Sequence, residues 1–311
     1  MAVGWQGFLQ RLFCLKPCNA QTNIATDKKE PSWTFVPTMS YIIKHEAAGL
    51  ALLGLMWQTR HFKTPIPSWV ADFTVSADWN DEHNPVFLRG SCANAAWSWK
   101  QDTIVSSDQT TLSASGLSFG KVTNVISFVD GDRKYYVERF REIQTLVNER
   151  CPQGHEPLWR TLVGIRNTDP EVCEPMPESW EMLMGRAEER GGEAQRMFQD
   201  ALLPIVRKRK FFVTDNGFAG VATPMVLERD TVVIIPGMVR AAVLREADPN
   251  ELGIHIGQDV MKDVSVFHRI TGFAYVGCHS RGEFERLEKA GPENWKAHVC
   301  LRREMEKFHI I

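Results

Sequence analysis

The chain has 311 residues, of which 43% are hydrophobic and 24% are charged, a composition that excludes a disordered chain and is typical of a globular protein with a large core. Its 36 basic and 38 acidic side chains give a net charge of −2, which excludes an overall field that would attract nucleic acid or an anionic membrane. We therefore expect no nucleic-acid partner.

The seven cysteines are scattered along the chain and include no Cys-x-x-Cys pair of the kind that builds zinc or redox sites. The sequence has no Asn-x-Ser/Thr glycosylation acceptor. It also has no apolar run near the roughly 18 residues that span a bilayer. These features predict reduced, buried thiols, no membrane span and a cytoplasmic protein. The cysteines are Cys14, Cys18, Cys92, Cys151, Cys173, Cys278 and Cys300.

Apolar side chains recur at helical spacing in residues 1–18, from Trp5 to Phe13, which predicts a short amphipathic helix. Such a helix packs against its own domain or against a second copy of the chain, which predicts a homodimer through this helix. The alternative is a membrane-surface anchor acylated at Cys14 or Cys18.

The polar stretch 19–29 predicts a linker. The domain organisation expected from this is an N-terminal helix and linker over residues 1–30, followed by a single domain over 31–311. Within that domain, Ser40 is predicted to cap a buried helix that runs to about Thr59.

Two prolines set the backbone conformation of the next segment. Pro65 and Pro67 exclude a helix there and predict an extended path. We expect Trp69 and Phe73 to hold this path against the core.

Alternating apolar residues over 110–129 predict two strands around a glycine corner. The corner, 116–122, resembles a phosphate-binding loop but has the wrong spacing and lacks the Ser/Thr that holds magnesium. Helices are predicted over 135–150 and 157–166. A further helical segment over 178–208 is predicted to end in the basic run Arg207-Lys208-Arg209-Lys210, which suits the negative end of a helix.

Short β-branched runs dominate the C-terminal part of the chain and predict strands joined by tight turns. Together with the helices they predict an α+β fold, a small antiparallel β-barrel packed against helices, with barrel elements at 110–129 and 210–277. The predicted strands are 211–214, 218–222, 231–236 and 239–245, followed by a closing pair, 267–270 and 273–277, and the turns are Asn216-Gly217, Pro224 and Pro236-Gly237.

Six short elements occur in an order that resembles one family. They are Pro-Ser-Trp-Val-x-Asp at 67–72, strand-Gly-strand at 111–126, Phe-Phe-Val-Thr-x-x-Gly-x-x-Gly at 211–220, Arg-Asp-Thr-Val-Val-Ile-Ile-Pro-Gly at 229–237, Ala-Val-Leu-Arg at 242–245 and Ile-Thr-Gly-Phe-Ala-Tyr-Val at 270–276. Over about residues 40–285 the chain resembles the C-terminal half of the fungal heterokaryon incompatibility (HET-domain) proteins. The resemblance implies a HET-related scaffold in a region of the family without assigned chemistry.

The chain departs from that family in three places. The residues before Pro67 show none of the tyrosine-rich and Trp-Ile-Asp-type signatures of the HET core, which implies that the cell-death effector half is missing. The family has Gly-Asp where this chain has Arg229-Asp230, and His-Gly-x-x-Asp-Gly-Glu where this chain has Gly-Cys-His-Ser-Arg-Gly-Glu at 277–283. We expect a stand-alone relative adapted to another use.

Acidic, amide and imidazole groups are concentrated in residues 78–84, Asp-Trp-Asn-Asp-Glu-His-Asn. Such a loop serves general acid/base chemistry or a divalent ion, and the alternative is a solvated turn. We predict Asp81 and His83 as the acid and base, with Asp72 as the group that orients them. Because no second metal motif is found, no metal is expected.

The chain contains ten tryptophans, an unusually high number. Trp69, Trp79, Trp97 and Trp99 lie close together in the sequence, and such clusters build a core or line a pocket for a flat apolar ligand. We predict that they and Tyr275 bind an apolar small-molecule substrate. The alternative is an ordinary core.

Other catalytic arrangements are less well supported. Cys278 and His279 are neighbours, which places them on opposite faces of a strand, and His268 is predicted to be a hydrogen-bonded sheet residue. The motifs of serine hydrolases, zincins and nicotinamide or flavin enzymes are missing from the sequence, so no cofactor is expected.

Two functions remain open. The first is a cofactor-independent enzyme of fungal specialised metabolism, of the cyclase, isomerase or dehydratase type. The second is a non-enzymatic HET-related interaction or regulatory domain in fungal self/non-self recognition. A closed aromatic cavity favours the first, and a flat surface with an exposed apolar helix favours the second.

Overall fold

One long strand runs through the part of the chain in which apolar and polar residues alternate most clearly, and the other strands are arranged around it. A computed structural model of the chain gives this arrangement for the residues that it describes, which belong to one compact unit, Ser32–Ile311. The described residues are 32–45, 50, 67–70, 102–129, 131–151, 158–163, 206, 209–238, 240–257, 264–277 and 305–311.

The described residues contain three helices and eight strands. The helices are α1 (Ser32–His45), α2 (Arg133–Arg150) and α3 (Leu158–Val163). The strands are β1 (Thr103–Val105), β2 (Leu112–Ser127), β3 (Lys210–Thr214), β4 (Ala219–Ala222), β5 (Thr231–Ile234), β6 (Ala241–Ala247), β7 (Phe267–Gly277) and β8 (Glu306–Ile310).

The strands form one predominantly antiparallel sheet in the order β1-β2-β3-β4-β7-β6-β5, and β5 pairs back onto β2. The hydrogen-bonded neighbours β2-β3-β4-β7-β6-β5 therefore form a closed series, here called the six-strand circuit. Strand β8 lies outside it and pairs with β2 and β7. The predicted antiparallel sheet with accompanying helices is confirmed in this form.

Strand β2 corrects the predicted pair of strands around a glycine corner, because it is continuous over 16 residues. Its pairing with β5 shifts register between Ser118 and Gly120. Its pairing with β3 shifts again between Val122 and Asn124. Gly120 adopts a φ of 106°, which L side chains rarely adopt, so the strand bends at a bulge instead of ending.

Strand β7 corrects the predicted closing pair, because it too is a single strand, of 11 residues. Opposite it, Val243 pairs with Gly272 and Leu244 with Ile270, which leaves Thr271 as an extra residue. The Thr271 hydroxyl donates to the Val243 carbonyl at 3.2 Å. A bulge again continues a strand that the sequence pattern breaks.

The predicted turns at Asn216-Gly217 and Pro236-Gly237 are confirmed by positive φ at the glycines, 78° at Gly217 and 89° at Gly237. In the second turn the Met238 amide donates to the Ile235 carbonyl at 3.0 Å. Pro236 and Gly237 occupy the positions that a type II turn reserves for proline and glycine, which makes the turn favourable for this sequence.

The first described helix begins earlier than predicted, at Ser32 instead of Ser40. Ser40 lies inside the helix and its hydroxyl donates to the Val36 carbonyl at 2.9 Å, so it satisfies a backbone acceptor and does not cap the helix. The predicted continuation to Thr59 lies outside the described residues, except for Leu50.

The predicted helices at 135–150 and 157–166 are confirmed as α2 and α3. Asp132 caps α2 by accepting from the Tyr135 amide at 2.9 Å. Of the predicted helix at 178–208 only Val206 is described, and it is helical. Among the described residues no helix is long and apolar enough to cross a membrane.

Helix α2 packs on the sheet through one apolar face. Tyr136, Phe140, Ile143 and Val147 recur at intervals of three and four residues and are all buried. The ring of Phe128, just after β2, lies 6.1 Å from that of Tyr136 and stacks on it. Because each fully buried side chain of this size contributes roughly 1.5–3 kcal/mol, this face fixes the helix on the sheet.

A buried ion pair fixes the entry to β5. Arg245 donates through Nε to Asp230 Oδ1 at 2.7 Å and through a terminal nitrogen to Oδ2 at 2.9 Å, and Asp230 also accepts from the Leu227 amide. Asp230 is buried, whereas Arg245 is partly exposed. The preceding residue, Arg229, adopts a φ of 75°, the left-handed region that favours glycine.

We predict that Arg229→Gly gives a more stable protein than Arg229→Ala. Both variants lose the same side chain, but only alanine keeps the strained φ. Alanine is strained in the left-handed conformation, whereas glycine loses more chain entropy on folding. Because the strain is the larger cost, the free energies of unfolding of the two variants should differ by about 0.5–1 kcal/mol. Unfolding by urea measures it, and equal stability of the two variants would contradict the assigned backbone conformation.

We also predict that Asp230→Asn lowers the free energy of unfolding by roughly 3 kcal/mol, because it leaves the Arg245 guanidinium without its buried counter-charge. Glu246→Gln is the matched control, since it breaks only the exposed pair with Lys121, and a loss below about 1 kcal/mol is expected. Urea unfolding of both variants tests the contrast. Similar losses would show that the Asp230 pair is no stronger than a surface pair.

Candidate functional site

Most of the residues predicted from the sequence to form the site lie outside the described part of the chain. These are the predicted catalytic residues Asp72, Asp81 and His83 and the predicted pocket residues Trp79, Trp97 and Trp99, together with Cys278, His279 and the N-terminal residues 1–30. Their roles therefore stay predictions. Trp69 and Tyr275 are described.

Trp69 is fully buried and its indole N–H donates to the Thr110 carbonyl at 3.3 Å. The neighbouring Ser68 hydroxyl accepts from the Ile270 amide of β7 at 2.8 Å. These contacts confirm that Trp69 holds its segment against the core. The segment turns here instead of running extended, because the Val70 amide donates to the Pro67 carbonyl at 3.1 Å.

Tyr275 is also buried and belongs to the core that surrounds the sheet. It pairs in register with Val221 of β4, which pairs with Phe211 of β3. Paired residues in a sheet point to the same face, so these three side chains share one face. Along β7, Tyr275 is five residues from the Ile270 position beside which Ser68 and Trp69 are anchored.

Two buried arginines lie directly before strands that flank β4 and β7. Arg209 precedes Phe211 by two residues, and side chains two apart on a strand point to the same side. Arg240 precedes Ala242 by two, and Ala242 pairs with Phe273 of β7, which lies two residues before Tyr275. Both arginines are only 6% exposed. We call Arg209 and Arg240 the arginine pair.

The pKa of each member of the pair is lowered. Burial lowers the pKa of Arg209 to about 9, and the charge of Arg240 lowers it too. Burial alone lowers the pKa of Arg240 to about 9. Since these values are still above 7, both guanidinium groups are charged at neutral pH. Both positive charges are therefore held in a buried environment, which disfavours the charged form of each group.

The surroundings of the pair are apolar and aromatic. The Phe128 amide donates to the Arg209 carbonyl at 3.4 Å, which extends the pairing of β2 with β3 by one residue. The Phe128 ring packs on Tyr136 and lies 6.0 Å from Phe140 of helix α2. The Arg209 backbone therefore lies beside the aromatic side chains that pack between the sheet and helix α2.

The sequence interpretation missed this pair. The run Arg207-Lys208-Arg209-Lys210 was expected to form a solvated helix end, but Lys210 begins β3 and Arg209 beside it is buried. The detectable signal is a basic residue directly before an apolar strand and two positions before one of its buried residues. Arg240 stands in the same relation to β6.

A second group of polar side chains lies where β8 joins the sheet. Ser113 Oγ and His309 Nδ1 are 2.8 Å apart on directly paired residues. His268 of β7 lies nearby, and burial lowers the pKa of its imidazole, with a smaller contribution from His309. Contrary to expectation, His268 Nδ1 is buried and makes no hydrogen bond to any described residue.

The one cysteine that the structure describes is reduced and buried, as predicted. Cys151 follows α2, and its amide donates to the Val147 carbonyl at 2.8 Å. Burial raises the pKa of its thiol to about 11. Since the thiolate is the reactive form, this environment disfavours a nucleophilic role. Among the described residues no group of three or more His, Cys, Asp or Glu side chains could hold a metal ion.

Comparison with protein-family models finds no match to the chain. Searches among curated proteins and solved structures likewise find no significant match. The resemblance to the HET-domain proteins therefore depends on the short motifs alone.

We predict that Cys151 resists alkylation in the folded protein. With a pKa of about 11, only about 0.1% of the thiol is ionised three units lower, at pH 8. Mass spectrometry after iodoacetamide treatment at pH 8 should find Cys151 unmodified in buffer and fully modified in urea. Rapid modification in buffer would show that the thiol is accessible.

Proposed function

We propose that this protein is a cofactor-independent small-molecule enzyme of fungal specialised metabolism, of the cyclase, isomerase or dehydratase type, on a scaffold related to the C-terminal half of the HET-domain proteins. The observation that supports it is the arginine pair. Both guanidinium groups are buried and their pKa values are strongly lowered, and ionisable groups shifted in this way cluster at functional sites.

In this proposal the six-strand circuit is a small barrel, and the substrate binds beside the sheet face that carries the pair. Trp69, Trp79, Trp97, Trp99 and Tyr275 supply apolar walls that orient the substrate. Orientation of a flexible substrate in an apolar site contributes much of the rate enhancement that such an enzyme needs.

The chemistry proposed for the site is proton transfer. Asp81 and His83 act as the acid and base, and Asp72 orients them. Cyclisation, isomerisation and dehydration each proceed by adding a proton at one atom and removing one at another, so paired side chains of this type suffice. His83 suits either role because its ordinary pKa lies near neutral pH.

One observation favours the alternative, a HET-related interaction or regulatory domain in fungal self/non-self recognition. In the loop between β4 and β5, Met225 and Leu227 are 50% and 48% exposed. Neighbouring exposed apolar side chains are typical of a surface that binds another protein. In this alternative the loop and the N-terminal helix contact the partner, and the arginine pair serves the stability of the fold.

We predict that deleting the gene in the source organism removes a metabolite and accumulates its isomer or precursor, as measured by mass spectrometry. Complementation with Asp81→Ala or His83→Ala should fail to restore the product, because each variant removes a proton-transfer group. Glu138→Ala, on the exposed side of α2, is the matched control and should restore it.

Two results would count against the enzyme. Full restoration by both the Asp81 and His83 variants would remove the assigned acid and base. An unchanged metabolite profile combined with altered hyphal fusion or cell death would favour the interaction domain.

A further inference from the structure

Strand β8 is attached to the sheet on two sides, and one of these attachments is made at a histidine. We propose that His268 is a pH-sensitive switch that keeps β8 attached to the sheet at neutral pH and favours its release in mildly acidic solution. The inference concerns a conformational change of the fold. It depends neither on the arginine pair nor on the proposed enzyme.

The two attachments of β8 differ in extent. On one side the strand pairs with β2 along its whole length, Glu306–Ile310. On the other side it pairs with β7 at one position among the described residues, where His268 lies opposite Ile310. The Ile311 amide then donates to the His268 carbonyl at 2.8 Å. The contact between β8 and β7 is therefore centred on His268.

The imidazole of His268 packs against the apolar face of β8. Its ring centroid lies 5.5 Å from that of Phe308, with the two rings edge to face. Phe308 and Ile310 are two residues apart on the strand, so they point to the same face, and both are buried. His268 Nδ1 is buried and makes no hydrogen bond within the described part of the chain. The ring therefore fits this position by its apolar contacts.

Protonation of His268 would make this position unfavourable. A neutral imidazole can leave Nδ1 without a proton, so that only an acceptor is unused. An imidazolium carries a proton on both ring nitrogens, and its Nδ1–H would be buried without an acceptor. A buried charged donor without a partner costs more than an unused neutral acceptor. Burial accordingly lowers the pKa of His268 from its ordinary value.

Besides burial, charges on three neighbouring strands affect the pKa of His268. Glu246 of β6 pairs directly with it and raises the pKa, whereas His309 of β8 and Lys121 of β2 lower it. Glu246 already accepts from Lys121 Nζ at 2.9 Å, so its charge is shared with a cation. It is therefore a poor counter-charge for an imidazolium, and the neutral form of His268 suits the attached strand.

The direction of the pH effect follows from the two states of β8. When β8 is released, the imidazole contacts water and regains its ordinary pKa of 6.5, whereas with β8 attached the pKa is lower. The released state therefore binds a proton more readily, and acid favours release. The attachment has its full stability above pH 6.5 and loses stability as the pH falls through the lower pKa. Release would uncover Phe308, Ile310 and the edge of β2 at 112–116.

Hydrogen–deuterium exchange of the full-length chain, followed by mass spectrometry, measures the attachment of β8. Protection of the amides at 306–311, corrected for the intrinsic effect of pH on exchange, should fall at least about threefold between pH 7.5 and pH 5.5. The limit for one histidine over this range is about tenfold. Protection of helix α2 should not change. Constant protection at 306–311, or an equal loss in α2, would overturn the proposal.

Two variants assign the effect to His268. His268→Phe keeps an apolar ring that cannot be protonated, so protection at 306–311 should no longer depend on pH. His255→Phe is the matched control, because His255 is exposed in the loop after β6, and it should keep the pH dependence of the wild type. Wild-type pH dependence in His268→Phe would overturn the proposal.

His309 is the other histidine near this interface, and burial lowers its pKa too. It lies on the opposite face of β8 from Phe308, where its Nδ1 is 2.8 Å from Ser113 Oγ and where Lys307 also lowers its pKa. His309→Gln should keep most of the pH dependence, and loss of the dependence in this variant alone would assign the switch to His309 instead. If His268→Phe does not fold, titration of the His268 ring in the wild type by NMR decides between the outcomes. A pKa below 6.5 whose titration coincides with the loss of protection supports the switch, and a pKa at or above 6.5 contradicts it.

Discussion

The fold depends on the hydrogen bonding of β2 to several different strands along its length. Its N-terminal part pairs with β1 and β8, its middle with β5 and its C-terminal part with β3. The middle and C-terminal pairings close the six-strand circuit, and closure requires the strand to bend between them. The bend lies at Gly120, where a Cβ would collide with the side chains of Asp215 and Asn216. The Asp215 carboxylate in turn accepts from the Lys121 amide at 2.9 Å and holds the β3–β4 turn against the bend.

Closure of the circuit also determines where charge is placed. Without β4 and β7 between them, β3 and β6 would not present their first residues to a common stretch of sheet. The turn at Pro236-Gly237 precedes β6, and the Arg209 amide donates to the Val206 carbonyl at 3.1 Å just before β3, so Arg209 and Arg240 each lie directly before a strand. A buried pair of like charges is thus a consequence of topology. Buried ionisable groups with strongly shifted pKa values are typical of functional sites.

The enzyme and the interaction domain differ in which part of this structure they employ. The proposed enzyme would use the buried side of the sheet, where the aromatic rings of helix α2 pack. The proposed interaction domain would use the loop between β4 and β5, where Met225 and Leu227 are exposed. Both are compatible with the same sheet, since a fold supports many functions and the site decides among them. Arg229-Asp230 is the motif in which this chain departs from the HET pattern. It lies at the end of the loop between β4 and β5, and Asp230 is bound to Arg245.

The sequence by itself determined the local structure. Alternation placed strands β3 to β6 close to their observed bounds, glycines placed the turns, and spacing placed helices α2 and α3, because these depend on neighbouring residues. Only the tertiary structure decided that residues 112–127 and 267–277 are single bent strands, since a bulge is stabilised by the strands across from it. The same holds for the buried polar groups: Trp69 and Tyr275 were predicted from the tryptophan cluster and the motif at 270–276, whereas Arg209 and Arg240, 31 residues apart in sequence, were missed. Their burial is decided by strand pairing, which sets which side chains face the core.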